Sequence, residues 1–265
     1  MSTIYLPEWY GRLGNNIIQL LNCVTFGLQN NYDIIRFPNH YAFNTTEIIL
    51  NKSSNILEPI KNYIAKDEYC FYFMAINNKI LYDINIKELF NKYIKKIFIN
   101  IIRYDLCINY DLTIYFRSGD IFEGKMNDDY VQPPLSFYEE IVNGKSDIIL
   151  ITENLNNPIA KLYSNKYLWN QNDIFNDINI LINSKELVIG NSVFCLLILL
   201  LSDKIEKIYV ADYIYNKFKN NWKIDLKDLL NNNQEIIIKK TKENYENDSQ
   251  KKIKYENSID FMLIT

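Results

Sequence analysis

Between residues 112 and 210, short apolar segments alternate with segments of helical spacing, and that alternation limits the fold more than any other feature of the chain. Residues 112–116, 148–152, 186–189 and 208–210 are brief and rich in Ile, Leu and Val, as strands buried on both faces are. Residues 135–142, which follow Pro133-Pro134, read as a helix, as do 158–163 and 177–183. Residues 192–201 read as a helix apolar on every side, hence buried. Strands and helices in alternation imply a parallel sheet with right-handed crossovers.

The amino-terminal part has a looser outline. Ile4-Tyr5-Leu6 reads as a strand and residues 11–15 as a loop. Ile17, Ile18, Leu20, Leu21, Val24 and Leu28 then form the apolar side of a helix. Gly11 and Gly14 leave the backbone of that loop able to take positive φ and to approach a ligand closely. Residues 35–84 are Asn-rich and are expected to form irregular loops with a short strand or two. Residues 88–102 predict an amphipathic helix with Leu89, Phe90, Tyr93, Ile94 and Ile97 on its apolar side. The polar tail beyond Asn231 reads as a strand, a connector and a closing helix. We expect one α/β domain over 1–108, a second over 109–235, and a tail over 236–265 packing back on the core.

At 265 residues the chain is long enough for a substantial core, and 48% hydrophobic with 23% charged residues is an ordinary globular balance. The net charge of −3 supplies no overall basic field for nucleic acid. The amino terminus lacks the basic and apolar regions of a signal peptide. The apolar run 193–201 is far shorter than the roughly 20 residues a membrane span needs. Cys23, Cys70, Cys107 and Cys195 have no paired spacing and read as reduced core residues, so a cytoplasmic location is expected.

His40 is the one histidine in the sequence, which rules out a two-histidine metal site. No CxxC, HExxH, GxxxxGK[ST] or GxGxxG pattern occurs. Kinase, P-loop, zinc-hydrolase and standard dinucleotide-binding readings therefore lose their sequence support.

Two strand-to-loop junctions carry the candidate chemistry. Arg117-Ser118-Gly119-Asp120 follows a strand directly, where open α/β sheets bind ligands. An arginine there can clamp a diphosphate through bidentate, charge-assisted bonds, and Ser118 and Gly119 can add hydroxyl and backbone donors. The same residues also read as a surface turn with an Arg–Asp pair. Gly190-Asn191-Ser192 is the second junction, offering donors at the positive end of a helix or simply a helix cap. Glu153 sits at the end of another strand, placed to touch a ribose or to cap the next helix.

The chain resembles the α-1,2-fucosyltransferases and their relatives. Gly11-Arg12-Leu13-Gly14-Asn15 is similar to the amino-terminal G-x-L-G-N motif of that family. Tyr115-Phe116-Arg117-Ser118-Gly119-Asp120 is similar to its H-x-R-x-G-D signature. Residues 130–138 are similar to the aromatic segment that follows it in some relatives, and Asp177 with Asn191-Ser192-Val193-Phe194 to the late D…N-S-[ST]-F block. The resemblance implies an α/β, GT-B-like fold of two Rossmann-like domains with parallel sheets, the first one small.

It also implies an inverting, metal-independent transferase moving fucose or a related deoxyhexose from a GDP-sugar, with no other cofactor, to a glycan hydroxyl. On that resemblance Arg117 binds the β-phosphate, Ser192 adds a phosphate contact, Asp177 bonds the guanine, and Gly14 and Asn15 line the cleft. Tyr115 stands where the family has histidine and Val193 where it has a hydroxyl, so both are donor-site positions with altered chemistry. With no histidine near the motifs, a carboxylate is the candidate base, with Asp120 and Glu123 closest to the arginine. Asp120 serves equally as a group that orients Arg117. No D-x-D occurs, and Asp128-Asp129 reads as a solvated turn. A donor carrying UDP or dTDP, and a non-catalytic nucleotide- or glycan-binding module, are the other readings.

Overall fold

The computed structural model describes residues 1–50, 61–64, 71–73, 85–98, 102–103, 106, 110–123, 130–169 and 171–241. The chain divides into two compact units, Met1–Ile102 with Lys219–Leu229, and Arg103–Phe218 with Leu230–Thr265. Residues 219–229, expected in the second domain, thus belong to the first unit.

The second unit is an α/β fold around one parallel sheet. Its strands are β5 (Leu112–Tyr115), β6 (Ile148–Ile151), β7 (Leu168–Trp169), β8 (Glu186–Val188), β9 (Lys207–Ala211) and β10 (Glu235–Lys239). They lie in the order β10-β9-β8-β5-β6-β7, every neighbouring pair parallel. Renumbered within the unit this is the Rossmann order 3-2-1-4-5-6 read from the other edge, with its one reversal between β5 and β8. Leu112 pairs with Ile148 and Tyr115 with Ile151, while Ile114 pairs with Val188.

The helices α3 (Leu135–Val142), α4 (Pro158–Tyr163), α5 (Ile174–Asn183), α6 (Phe194–Leu201) and α7 (Asp212–Asn220) alternate with the strands. The spans predicted for α3 and α4 match. α5 starts earlier than predicted because Asp173 caps it, its carboxylate accepting the Phe175 and Asn176 N–H groups at 2.9 and 3.0 Å. Every α6 residue from Cys195 to Leu201 is buried, as its all-apolar sequence requires. α7 and β7 escape the sequence reading. Asp111 pins the sheet's amino edge by accepting bonds from Ser146 N, Ser146 Oγ and Asp147 N at 2.8–3.1 Å. Those bonds draw its carboxyl pKa down to about 2.

The expected strand after Asn231 is β10, which completes the sheet; the closing helix lies outside the described residues, as do Asp128, Asp129, Cys70 and Cys107. Cys23 and Cys195 are buried. Among the described residues no helix is long and apolar enough to cross a membrane.

The first unit holds a four-stranded sheet of β1 (Thr3–Tyr5), β2 (Ile34–Arg36), β3 (Glu47–Ile49) and β4 (Asn62–Ile64), in the order β3-β2-β1-β4. β1 runs parallel to β2 and β4, but β3 is antiparallel to β2, so this sheet is not wholly parallel as expected.

Between β1 and β2 runs α1 (Leu13–Gln29), which begins inside the predicted loop. Gly14 and Asn15 form its first turn, and of the two glycines only Gly11 has positive φ, at +67°. Asn16, Gln19 and Asn22 are buried polar residues on α1. They hold loops by hydrogen bonds: Gln19 accepts Tyr10 N–H at 2.8 Å, Asn16 donates to Tyr10 O at 3.0 Å, and Asn22 donates to Phe71 O at 2.7 Å.

Of the helix predicted over 88–102, residues 99–101 lie outside the described residues, and the part before them is not one regular helix. The helix α2 (Ile86–Leu89) continues as a wide π turn over Phe90–Ile94 and a 3-10 turn over Lys95–Ile97. Its apolar side is the predicted one, with Leu89, Phe90, Tyr93, Ile94 and Ile97 all buried.

Candidate active site

The strand order brings the two predicted junctions together. β5 and β8 are neighbours at the reversal, and their carboxyl ends run into Tyr115–Asp120 and Gly190–Ser192. Crossovers leave that reversal in opposite directions, which opens a crevice where ligands bind in such sheets. Contacts cross it directly. The Tyr115 hydroxyl lies 3.5 Å from Ser192 Oγ, and the Tyr115 ring packs on Phe194 with centroids 5.4 Å apart. A Cβ on Gly190 would sit 3.3 Å from Tyr115 O and 3.2 Å from Gln132 Oε1, so the small residue lets β5 and β8 close up here.

Arg117 is the centre of the first junction. Its guanidinium donates to Glu153 at 2.7 Å and to Asp120, and its side chain is only 11% exposed. The two carboxylates are more open, 36% for Glu153 and 58% for Asp120. Asp120 is thus in place to orient the arginine, and Glu153, expected to touch a ribose or cap a helix, is its second partner. A diphosphate would compete with them for the same five donors. Gly119 is required beside them. It has φ +67°, and a Cβ there would lie 2.3 Å from Glu153 Oε1.

The loop after β6 holds this junction in place through residues the sequence reading missed. Asn154 Oδ1 accepts Ser118 Oγ at 2.7 Å, Gly119 N at 3.1 Å and Asn156 N at 3.0 Å. Asn157, 1% exposed, donates its N–H to Ser118 Oγ at 2.9 Å and its amide to Arg117 O at 3.2 Å. The same side chain caps α4 by accepting Ile159 N–H at 2.9 Å. Asn157-Pro158 is a helix-start signal legible in sequence, but its second task of holding Arg117 is not. Ser118 is wholly buried within this network, so its hydroxyl faces protein and not the crevice. Glu123 accepts from Asn156 at 2.8 Å, on the rim of the same loop.

The second junction was expected either to offer donors to an anion or to serve the start of a helix. Ser192 Oγ accepts Phe194 N–H at 3.2 Å at the start of α6, a bond that uses the acceptor side of the hydroxyl. Asn191 is buried and donates to Val131 O at 3.0 Å; Tyr213 donates to the same carbonyl at 3.2 Å. These bonds strap residues 130–134 beside the carboxyl ends of β5 and β8. Val193 is half-buried at the start of α6. Burial pushes the Cys195 thiol up to about 12 and keeps the Tyr115 phenol protonated well above its ordinary range.

Asp177 lies half-buried in the first turn of α5, beyond β7. Burial raises its carboxyl to about 6, against a bond from Asn172 that lowers it. Gly14 and Asn15 belong to the first unit, in the first turn of α1. Among the described residues no group of His, Cys, Asp and Glu is arranged to hold a metal ion.

No family model, curated protein or solved structure matches this chain.

Proposed function

We propose that the chain is a glycosyltransferase whose second unit binds a nucleotide-sugar donor at the β5/β8 reversal without a metal. The observation that carries the reading is the placement of a carboxylate-held arginine, its side chain 11% exposed, at the end of β5 beside the glycine junction at the end of β8. Arg117 meets the β-phosphate and offsets the charge that grows on the departing diphosphate. The acceptor hydroxyl attacks the anomeric carbon as the bond to the phosphate oxygen breaks, with inversion. A carboxylate on the rim, Asp120, Glu123 or Glu153, takes the hydroxyl proton once the donor draws Arg117 away from it. GDP-fucose is the favoured donor and a glycan hydroxyl the acceptor, on the resemblance of the motifs.

One observation favours a second reading, a non-catalytic nucleotide-binding module. The Asn191 amide and the Ser192 hydroxyl are both engaged inside the protein. A thermal-shift panel of GDP, UDP, dTDP and CDP, with and without Mg²⁺, tests binding. At about 100 times Kd a ligand stabilises by ~2.7 kcal/mol, or about 5–10 °C for a unit of this size. Stabilisation by GDP without metal, with hydrolysis or transfer of GDP-fucose, is the expected result. Binding without turnover selects the module, and no response to any nucleotide sinks both.

A further inference from the structure

The loop joining β2 to β3 frames a cleft of about 630 Å³, walled by Asn39, Asn44, Thr45 and Thr46 around the rings of His40 and Tyr41. Tyr41 is 57% exposed, yet its ring is not loose. It lies against the His40 ring, centroids 4.3 Å apart and planes 30° apart.

His40 is fixed through both ring nitrogens, Nε2 at 3.1 Å from Asn16 Oδ1 and Nδ1 accepting Ala42 N–H at 3.2 Å. Trp9 and Phe43 pack on the same imidazole at 5.1 and 4.7 Å. The far side of the loop is held by Asn44 N–H bonding Ile97 O at 2.8 Å and by the bridge between Phe43 and Phe98. The aromatic surface is therefore set in advance, and a ligand meeting it spends little on ordering the protein.

The chemistry of the walls selects the ligand. Among the described residues that line the cleft none is Asp, Glu, Lys or Arg. The walls themselves offer no charge to a phosphate or carboxylate; Arg12, whose charge acts on the Tyr41 phenol, stands outside them. Of the two amides and two hydroxyls, Asn44 already donates to Phe98 O at 3.4 Å and Thr45 Oγ1 already bonds the Glu47 backbone at 3.3 and 3.5 Å; the remaining capacity, chiefly that of Asn39 and Thr46, suits a ligand whose own groups both donate and accept. An exposed aromatic face beside such groups suits an apolar C–H surface rimmed by hydroxyls. A pyranose ring has that combination, and the volume lies in the range of small-molecule sites.

We propose that this cleft binds a neutral saccharide, with Tyr41 as the platform on which the ring stacks. The inference does not rest on the donor reading of the second unit. It needs neither Arg117 nor a nucleotide.

Saturation-transfer NMR tests it on the whole chain. The probes are methyl β-D-galactopyranoside, methyl β-D-glucopyranoside and methyl α-D-mannopyranoside, with glucuronic acid as the charged counterpart and adenosine as a neutral aromatic one. The expected result is transfer to the ring C–H protons of at least one methyl glycoside, stronger than to glucuronic acid or adenosine. Tyr41→Ala weakens it about tenfold, Tyr41→Phe retains it, and Arg117→Ala leaves it unchanged. Thr46→Arg, which fills the cleft from an exposed position, abolishes it and decides the matter if Tyr41→Ala does not fold. No transfer to any glycoside, a stronger response to adenosine, or equal transfer in a folded Tyr41→Ala or Thr46→Arg protein overturns the proposal. Nucleotide stabilisation in the same preparation separates that failure from a failure of the donor site.

Discussion

Gly119→Ala is the sharpest probe of the arginine junction because two separable costs meet at one atom. The residue has φ +67°, where an alanine costs roughly 1–2 kcal/mol relative to glycine. The added Cβ would also stand 2.3 Å from Glu153 Oε1 and 2.5 Å from its Cδ, so the carboxylate must swing off Arg117. Glu153 is partly exposed, and breaking that pair costs about 0.2–1 kcal/mol in addition. The sum is a loss of about 1–3 kcal/mol, read by urea unfolding of wild type and variant. A double-mutant cycle with Glu153→Ala separates the parts. In the Glu153→Ala background the clash is gone, and Gly119→Ala should cost only the backbone share of about 1–2 kcal/mol. An effect below about 0.5 kcal/mol in the wild-type background would refute the left-handed conformation. An identical cost in both backgrounds would refute the close approach of Glu153.

Asp177 gives a pH signature. Its folded pKa, raised by burial to about 6 from 3.8, means the folded state holds the proton more tightly. That contribution to stability is complete below about pH 4 and is lost as pH rises through about 6. Asp177→Asn should be more stable than wild type at pH 7 by about 1–2 kcal/mol, discounted for the water that still reaches this half-buried group. The gap should close at pH 4 in parallel urea titrations, and a pH-independent gap would contradict the burial argument. Asn157→Ala removes the α4 cap and the amide bond to Arg117 O together, while the backbone N–H bond to Ser118 stays. It should cost about 1–3 kcal/mol in urea unfolding, more than the roughly 1 kcal/mol of an ordinary cap. A loss under that value would mean the cap alone matters.

The alternation of apolar strands and helices was legible because burial on both faces leaves β5, β6 and β8 few polar positions, Thr113 and Glu186, to confuse the pattern. α6 was legible for the same reason. α7 was not, because only Ile214, Tyr215 and Phe218 of its polar sequence are buried, too few to make a period. The start of α1 was misread because glycines usually mark loops, whereas Gly14 sits in a helical turn closed by Asn16 N–H bonding Arg12 O at 3.1 Å. The wide turn at Phe90–Ile94 keeps the predicted apolar side while changing the helix that carries it, since periodicity reports a face and not a hydrogen-bond pattern.

The sequence by itself determined the α/β class, the succession of elements in the second unit apart from β7 and α7, and Arg117 and Gly190 as residues at strand ends. Local propensity and apolar spacing are properties of a few consecutive residues, so a single chain displays them. Only the tertiary structure decided that β5 and β8 are neighbours at the reversal, that Arg117 is gripped by Asp120 and Glu153, and that Asn157 ties its loop to α4. Only the structure shows that the Asn191 amide straps Val131 and that Ser192 Oγ accepts Phe194 N–H at the start of α6. Those facts depend on strand order and on side chains dozens of positions apart meeting in space, and no local pattern encodes them.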